Sequence, residues 1–449
     1  MEYLEKKAIQ LSDHFTYKKI ARFTIPSIAM MIFMSIYGVV DGFFVSNYVG
    51  GTEFAALNLI MPYIMIFGAV GLMFGTGGSA LVAFILGTGD KKKANEVYSL
   101  IVYILIALGL LFMVIGIVFA RPMSILLGAD EGMLPHCVLY ARVCFLGAMP
   151  FTLQFAFQSF FVTAEKPRLG LYITVAAGVT NMFLDWLLVG VLRLGLAGAA
   201  AATDLGMAVG GIIPVIYFAC PNSSLLRLGK MKWYGRELFK AAGNGASEFM
   251  SNISMSIVNM LYNLQLMKYA GERGVSAYGI IMYTNFIFIG YFVGYGLGIA
   301  PVIGFNHGAN NRDELKNVYG KSMKIVLVSS ALMMGLSMVS ARVLALIFAS
   351  ADIELLNMTI NAIRIYSICY LFTGVNIFGS AFFTALNNGK ISALISFMRV
   401  LVFQVLFLTI LPRLFALNGI WFSIVSAECC AVILTFICLW ANRKRYQYV

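Results

Sequence analysis

Four polar side chains lie in stretches of the sequence that are otherwise strongly apolar. Asp41 lies in IYGVVDGFFVS, Asn181 and Asp185 lie in VTNMFLDWLLVG, and Thr203 lies in AAAATDLG. Asn181 and Asp185 are four residues apart, so a helix projects both from one face. Thr203 follows Asp185 by eighteen residues, across a short turn around Gly195. The two therefore lie at a similar depth, and Asp41 lies toward the same end of its own apolar run.

Two carboxylates, an amide and a hydroxyl form a set of ligands that consists only of oxygen. Hard cations prefer oxygen ligands, and two neighbouring acids also titrate as one coupled unit that can hold a proton. The residues therefore predict a site for Na⁺ or H⁺, with Asp41, Asn181, Asp185 and Thr203 as the metal ligands if sodium binds. The alternative is a hydrogen-bond network that only holds helices together.

The composition identifies the elements that must hold this set. Of the 449 residues, 60% are hydrophobic and 12% are charged, whereas a soluble domain carries about 25% charged residues. A helix of about 20 apolar residues crosses a bilayer, and runs of this kind recur along the chain near 20–45, 55–86, 95–120, 133–160, 168–193, 195–220, 238–268, 276–306, 316–348, 355–385, 390–415 and 418–441. The sequence therefore predicts an all-α polytopic membrane protein with twelve transmembrane helices.

The distribution of basic residues predicts how the chain is oriented. The net charge is +12, and 23 Lys and Arg residues fall in loops on the side of the termini against six on the opposite side. By the positive-inside rule, this bias places both termini in the cytoplasm, and we expect the protein in the cytoplasmic (inner) membrane. The basic excess is therefore a sign of topology, and we expect no nucleic-acid partner.

The two halves of the chain match each other at one constant offset. The segment 48–78 aligns with 269–299, so that Gly75 and Gly77 pair with Gly296 and Gly298, and Gly87 pairs with Gly308 further on. Each half holds six spans, an even number, so both halves have the same orientation. We therefore predict two lobes, 1–225 and 226–449, related by a parallel pseudo-twofold repeat, with substrate bound between them.

The repeat also provides an internal control for the four polar residues. At the same offset, their counterparts in the second half are Tyr262, Val402, Leu406 and Ile424. An acid at mid-membrane costs about 2.5–3.5 kcal/mol and needs a partner, water or a function. Because the second lobe has the helices without the oxygens, the set is not required by the fold, and we favour the functional interpretation.

Several of these segments together resemble the multidrug and toxic compound extrusion (MATE) transporters, in particular the DinF-like and MepA-like branch. They are DGFFVSNYVG, NMFLDWLL, GLAGAAAAT and Pro26 in span 1. The resemblance covers nearly the whole chain. It implies that the site for Na⁺ or H⁺ lies in the N-lobe and that span 1 bends at Pro26. It further implies export of cationic amphiphiles by antiport. One position departs from the family, since many relatives follow the span-5 Asp with Pro and this chain has Trp186.

Polar and flexible side chains within the spans are candidates for the substrate cavity. Amides inside a membrane rarely face lipid, and methionine adapts to varied ligands. The candidates are Gln154, Gln158, Glu248, Met255, Asn259, Met260, Asn285 and Glu428. Glu248 is equally well read as a residue near a helix start at the membrane surface. Glu428 faces the cavity or pairs with Arg399 or Arg364. Asp204 points about 100° away from Thr203. It either belongs to the cluster or makes a contact between helices, and it is left outside the predicted site.

Other functions find less support in the sequence. A flippase for lipid-linked sugars shares the two-lobe plan, but it would need clustered basic residues in the cavity, and the spans hold only Arg142, Arg364 and Arg399. The three histidines and seven cysteines form no catalytic, metal or disulfide pattern, so we expect neither an enzyme nor a cofactor beyond the coupling ion. The expected partners are small cationic or amphiphilic molecules and the bilayer, with the protein a monomer.

Overall fold

The computed structural model describes residues 9–49, 51–349 and 352–449, and every regular element in these ranges is helical. Span 1 is Tyr17–Tyr48, span 2 is Gly51–Gly87 and span 3 is Lys91–Leu126. Span 4 consists of Leu134–Leu146 and Ala148–Thr163, bent by 60°. Span 5 is Pro167–Leu184 followed by a π-helix, Asp185–Val191, and span 6 is Gly195–Ala219.

The second half follows the same order. Spans 7 and 8 are the two limbs of Gly235–Gly308, which reverses at Gly271, where φ is +60°. Tyr262 and Tyr278 stack across this reversal with ring centroids 4.9 Å apart. Span 9 is Arg312–Ala349, and span 10 consists of Ile353–Ser367 and Tyr370–Ala385, bent by 48°. Span 11 is Gly389–Phe397, a π-helix Met398–Val402 and the first limb of Phe403–Tyr446, whose second limb beyond Ala416 is span 12.

Contacts between the lobes follow the predicted twofold axis. Gly87 packs directly on the backbone of Phe305, and its counterpart Gly308 packs in the same way on the backbone of Phe84. Neither glycine has room for a Cβ atom. The repeat that pairs Gly87 with Gly308 also pairs Phe84 with Phe305, so each contact is the twin of the other, as expected across a twofold axis. The prediction of two repeated six-helix lobes is thereby confirmed.

The lobes close on each other at the end of the molecule that carries the termini. The backbones of Gly77 in span 2 and Gly245 in span 7 lie against each other without space for a side chain. Toward the opposite end, span 1 stays beside span 8 at least as far as Ser35, whose hydroxyl donates to the carbonyl of Phe286 at 3.0 Å. Because these contacts are largely backbone to backbone, the closed end is closely packed.

Residues 9–16 tie the two lobes together at this same end. Leu11 and Phe15 are fully buried. The N–H of Phe15 donates to the Glu314 carboxylate in the C-lobe at 2.8 Å, and the N–H of Leu11 donates to Glu165 in the N-lobe at 2.6 Å. Burial raises the pKa of Glu165, and the Leu11 hydrogen bond partly offsets that rise. The segment is therefore held by one carboxylate from each lobe.

Candidate functional site

Spans 1, 5 and 6 pack together in the N-lobe and bring the predicted polar set into one place. The Asp41 carboxyl of span 1 lies beside the side chains of Asp185 and Asn181 of span 5. The spacing of four residues therefore projects Asn181 and Asp185 toward the same neighbour. Two carboxyl groups side by side repel each other when both are charged, so their closeness favours a proton or a cation between them.

Span 6 reaches the same place because a glycine allows it to approach closely. A Cβ atom on Gly206 would lie 2.8 Å from the Cβ of Asn181. Thr203 precedes Gly206 by three residues and so lies on the same face of span 6, one turn earlier in the helix. Since spans 5 and 6 run in opposite directions, this turn brings Thr203 toward the level of Asp185. We call Asp41, Asn181, Asp185 and Thr203 the N-lobe centre.

The oxygens of the N-lobe centre are buried and lack hydrogen-bond partners. Asp185 is fully buried and Asn181 is 3% exposed, while Asp41 and Thr203 are half-buried. Both Asp185 oxygens, Asp41 Oδ1, Asn181 Oδ1 and Thr203 Oγ1 have no partner among the described residues. A buried polar group left unpaired costs about 1–3 kcal/mol, and more if it is charged. A bound cation or a shared proton would satisfy these oxygens, so the residues fit the ion that they were predicted to hold.

Span 5 changes its geometry at Asp185. The π-helix begins at this residue, and the next residue, Trp186, is 51% exposed. A π-helical turn inside an α-helix often marks a functional site. The irregularity of span 5 at the acid therefore does not need a proline in this chain.

Pro26 is buried inside span 1, which is one uninterrupted helix. Proline cannot donate a backbone hydrogen bond, so the carbonyl of Arg22 lacks its usual helical partner. Bending at Pro26 remains a prediction. The position is nevertheless a weak point in the helix that carries Asp41.

Two of the predicted cavity residues lie in the N-lobe and touch span 1. Gln158 is 3% exposed, and its Nε2 lies 3.0 Å from the sulfur of Met34. Gln154 is 6% exposed and lies beside the hydroxyl of Tyr37. Tyr37 is one helical turn from Asp41, so the helix that bears the acid also carries the neighbours of both glutamines.

The C-lobe contains a separate polar cluster around Glu428. This carboxylate is 3% exposed; Asn376 donates to its Oε2 at 2.7 Å, and Arg399 lies 3.4 Å from its Oε1. The hydroxyl of Thr435 donates to Asn376 at 3.0 Å. We call Arg399, Glu428, Asn376 and Thr435 the C-lobe centre. Of the two arginines considered for Glu428, the partner is Arg399. Glu248, half-buried, also lies near Arg399.

The remaining cavity candidates are not brought to either centre by a hydrogen bond among the described residues. Asn259 accepts a hydrogen bond from Tyr278 at 2.7 Å, and Asn285 accepts one from Tyr370 at 3.2 Å. Both amides are thus held by tyrosines of their own lobe. Met255 is half-buried and Met260 is 65% exposed.

Sequence reasoning did not single out Asn376 or Tyr37. Asn376 is an amide inside an apolar span, the same signal that selected Gln154 and Gln158, so the same reasoning could have found it. Tyr37 carries no such signal, because a tyrosine in a membrane span is common, and only its side-chain contact with Gln154 of span 4 shows where it lies.

Comparison with known proteins agrees with this architecture. A family model, MatE, matches the chain twice, over residues 26–187 and 249–410. The multidrug export protein MepA of Staphylococcus haemolyticus is 25% identical over 442 residues, covering 96% of this chain and 94% of that protein. MepA of Staphylococcus aureus strain MSSA476 is also 25% identical, covering 99% and 96%.

Solved structures share the fold over nearly the entire length. A MATE protein crystallised in complex with MaL6 has a TM-score of 0.93 at 23% identity, covering 99% of this chain and 100% of that chain. The outward-facing conformation of a MATE multidrug resistance transporter has a TM-score of 0.92 at 24% identity, covering 99% of both chains. This chain therefore belongs to the MatE family, as the resemblance predicted, and is a multi-pass membrane transporter.

Proposed function

We propose that the protein is a secondary active multidrug efflux antiporter that exports cationic or amphiphilic compounds in exchange for Na⁺ or H⁺. The observation that carries the proposal is the N-lobe centre, where two acids lie side by side. Both oxygens of Asp185 and one oxygen each of Asp41, Asn181 and Thr203 are buried there without a hydrogen-bond partner among the described residues. The relatives named multidrug export proteins support the nature of the cargo. The positive-inside bias supports an inner-membrane location with both termini in the cytoplasm.

Alternating access gives the two lobes their roles. The lobes meet at the end of the molecule that carries the termini. With cytoplasmic termini, this closed end faces the cytoplasm, as expected of an outward-facing state like the one named for one similar transporter. Opening toward the cytoplasm then requires the contacts of Gly87 and Gly308 to separate. The segment 9–16, which is bonded to both lobes, must release Glu165 or Glu314 in the same step.

Span 1 is the element that can connect the ion to the cargo. Asp41 lies beside Asp185, and one turn or two turns earlier the same helix contacts Gln154 and Gln158. A proton or Na⁺ that neutralises the acids removes their repulsion and changes the preferred position of span 1, with Pro26 as the weak point. An ion can drive export only if it binds the two states with different affinity, and a helix shared by both sites supplies that difference.

The flippase alternative receives no support from the C-lobe. Arg399 is already bound to Glu428, so it is not an unpaired cation that a pyrophosphate would require. A cationic cargo, in contrast, would be attracted by the carboxylates of the N-lobe centre, which have no basic partner among the described residues.

The proposal is tested by efflux of a fluorescent organic cation from proteoliposomes under separately imposed Na⁺ and pH gradients. One gradient should drive export by the wild type, and Asp41→Asn and Asp185→Asn should abolish it. Glu131→Gln, a change to an exposed acid outside the spans, is the matched control and should transport normally. Wild-type export by both N-lobe variants would contradict the proposed function.

A further inference from the structure

Span 6 has a second contact next to Thr203 that the ion site does not use. The Asp204 carboxylate accepts a hydrogen bond from the backbone N–H of Gly147 at 3.1 Å. Gly147 is the residue at which span 4 breaks and bends by 60° between Leu134–Leu146 and Ala148–Thr163. Asp204 therefore binds the point at which span 4 changes direction.

The sequence explains why span 4 breaks near Gly147 and why the N–H groups at the break need a hydrogen-bond acceptor. Pro150 lies in the first turn of the second helix, and proline is tolerated there because N–H groups of the first turn have no partner within the helix. The remaining free N–H groups lie inside the membrane, where no water can bond them. A carboxylate at this position satisfies one of them and also opposes the positive end of the helix dipole. A Cβ atom on Gly147 would overlap the Asp204 carboxylate.

Beyond the break, span 6 continues to guide the second helix of span 4. Gly211 packs against the backbone of Pro150, and Gly210 packs against the side chain of Gln154. Together with Asp204, these contacts fix the helix against span 6 over two turns. This is the helix that carries Gln154 and Gln158 to their contacts with span 1.

We propose that Asp204 is a positioning residue, which anchors the break of span 4 and so holds Gln154 and Gln158 in place against span 1, where they contact the cargo. The inference rests on the proposed function, since it assigns those glutamines to the transported molecule. Asp204 acts as a hydrogen-bond acceptor in this role and does not bind the coupling ion. It also joins two sites, because Thr203 on the same turn of span 6 belongs to the N-lobe centre.

The experiment measures KM and kcat for efflux of a fluorescent cation from proteoliposomes. Asp204→Asn keeps an oxygen acceptor for Gly147 and should remain within about twofold of the wild type. Asp204→Ala should raise KM about tenfold, the size of one hydrogen bond, with kcat largely kept. Gly147→Ala should raise KM to a similar extent, because its Cβ atom would displace the Asp204 carboxylate.

A double-mutant cycle ties the effect to this contact. Because Asp204→Ala vacates the space that a Cβ at position 147 needs, Gly147→Ala should cost little more in that background, and the two effects should not add. The Gly147 variant also keeps the proposal testable if Asp204→Ala does not fold, as judged by its thermal unfolding.

Three results would overturn the positioning role. These are an unchanged KM in Asp204→Ala, full additivity in the cycle, or an Asn variant as impaired as the Ala variant, which would make the charge essential. Failure of the proposed function is a separate result, because it appears as normal gradient-driven efflux in Asp41→Asn and Asp185→Asn, whatever happens to KM at position 204.

Discussion

The two lobes share their backbone plan and differ in how each treats a buried acid. In the C-lobe centre, both oxygens of Glu428 are engaged, one by Asn376 and one by Arg399. In the N-lobe centre, neither oxygen of Asp185 has a partner among the described residues, although this residue is fully buried. A π-helical segment lies at each place, beginning at Asp185 in span 5 and containing Arg399 in span 11.

Whether a buried acid is paired helps to distinguish a structural polar group from a functional one. Native proteins pair nearly all of their buried polar atoms, so an unpaired one needs an explanation such as an unseen ion or a catalytic role. The C-lobe centre supplies its own countercharge and resembles a completed ion pair. Within the described part of the chain, the N-lobe centre has no basic side chain as a countercharge. This is the state expected of a site that a mobile cation enters and leaves.

The largest expected effect is on transport. Asp185→Asn should reduce gradient-driven efflux to the level of protein-free liposomes. The amide can neither take up and release a proton nor provide a negative charge that binds Na⁺. Folding should be unharmed or improved, since the change removes a buried acid whose oxygens have no hydrogen-bond partner in the described part of the chain. Efflux and thermal unfolding measured on the same preparation check both parts. A variant that both transports normally and unfolds early would reverse the roles assigned to the two lobes.

The next effect is on stability in the C-lobe. Arg399→Met leaves Glu428 buried without its countercharge, which should lower the free energy of unfolding by about 3–5 kcal/mol. The double variant Arg399→Met/Glu428→Met should recover most of this loss, because no charge is then left unpaired. Reversible unfolding of the purified protein measures the difference. If Arg399→Met instead abolished ion dependence at unchanged stability, the C-lobe centre would be part of the coupling site.

One threonine in each polar centre allows a comparison with a smaller expected effect: Thr435 should matter for stability and Thr203 for ion coupling. The Thr435 hydroxyl donates to Asn376. Thr435→Val removes this donor and should lower the free energy of unfolding by roughly the value of one hydrogen bond, about 1 kcal/mol. Thr203→Val removes a hydroxyl without a hydrogen-bond partner among the described residues, so it should change stability little and weaken the dependence of efflux on the coupling ion. Unfolding and ion-titrated efflux of both variants test the contrast. Equal destabilisation by the two would show that Thr203 is structural.

The smallest effect concerns Glu248, which is half-buried near Arg399. Its carboxylate attracts cations, so Glu248→Gln should raise the KM for a cationic dye a few-fold, the strength of a partly solvated charge pair. The KM for a neutral amphiphile of similar size should not change. A shift for both compounds would indicate a packing defect, and no shift for either would remove Glu248 from the cavity.

Much of this arrangement was predictable because it depends on local periodicity. The spacing of Asn181 and Asp185 fixed their common face, and the short turn at Gly195 fixed the depth of Thr203. The internal repeat paired Gly87 with Gly308, and these two glycines make symmetric contacts between the lobes. Both the face of a helix and an internal repeat can be recognised in the sequence, so these features could be predicted without knowing how the helices pack.

Other features depend on packing and were not predictable. Spans 4 and 10 each read as one apolar run, yet both are bent pairs of helices. Nothing local decided between Arg399 and Arg364 as the partner of Glu428. Asp204 was left aside because its angle from Thr203 points it away from the site, and only the position of Gly147 on another span gives it a role.

The most direct test of the central claim is ion binding to the purified protein, measured as bound radioactive Na⁺ and as proton release when a cationic substrate is added. Wild-type protein and the Arg399→Met/Glu428→Met variant should give one of these signals at equal strength, and Asp41→Asn and Asp185→Asn should give neither. An undiminished signal in both N-lobe variants would show that the coupling ion binds elsewhere.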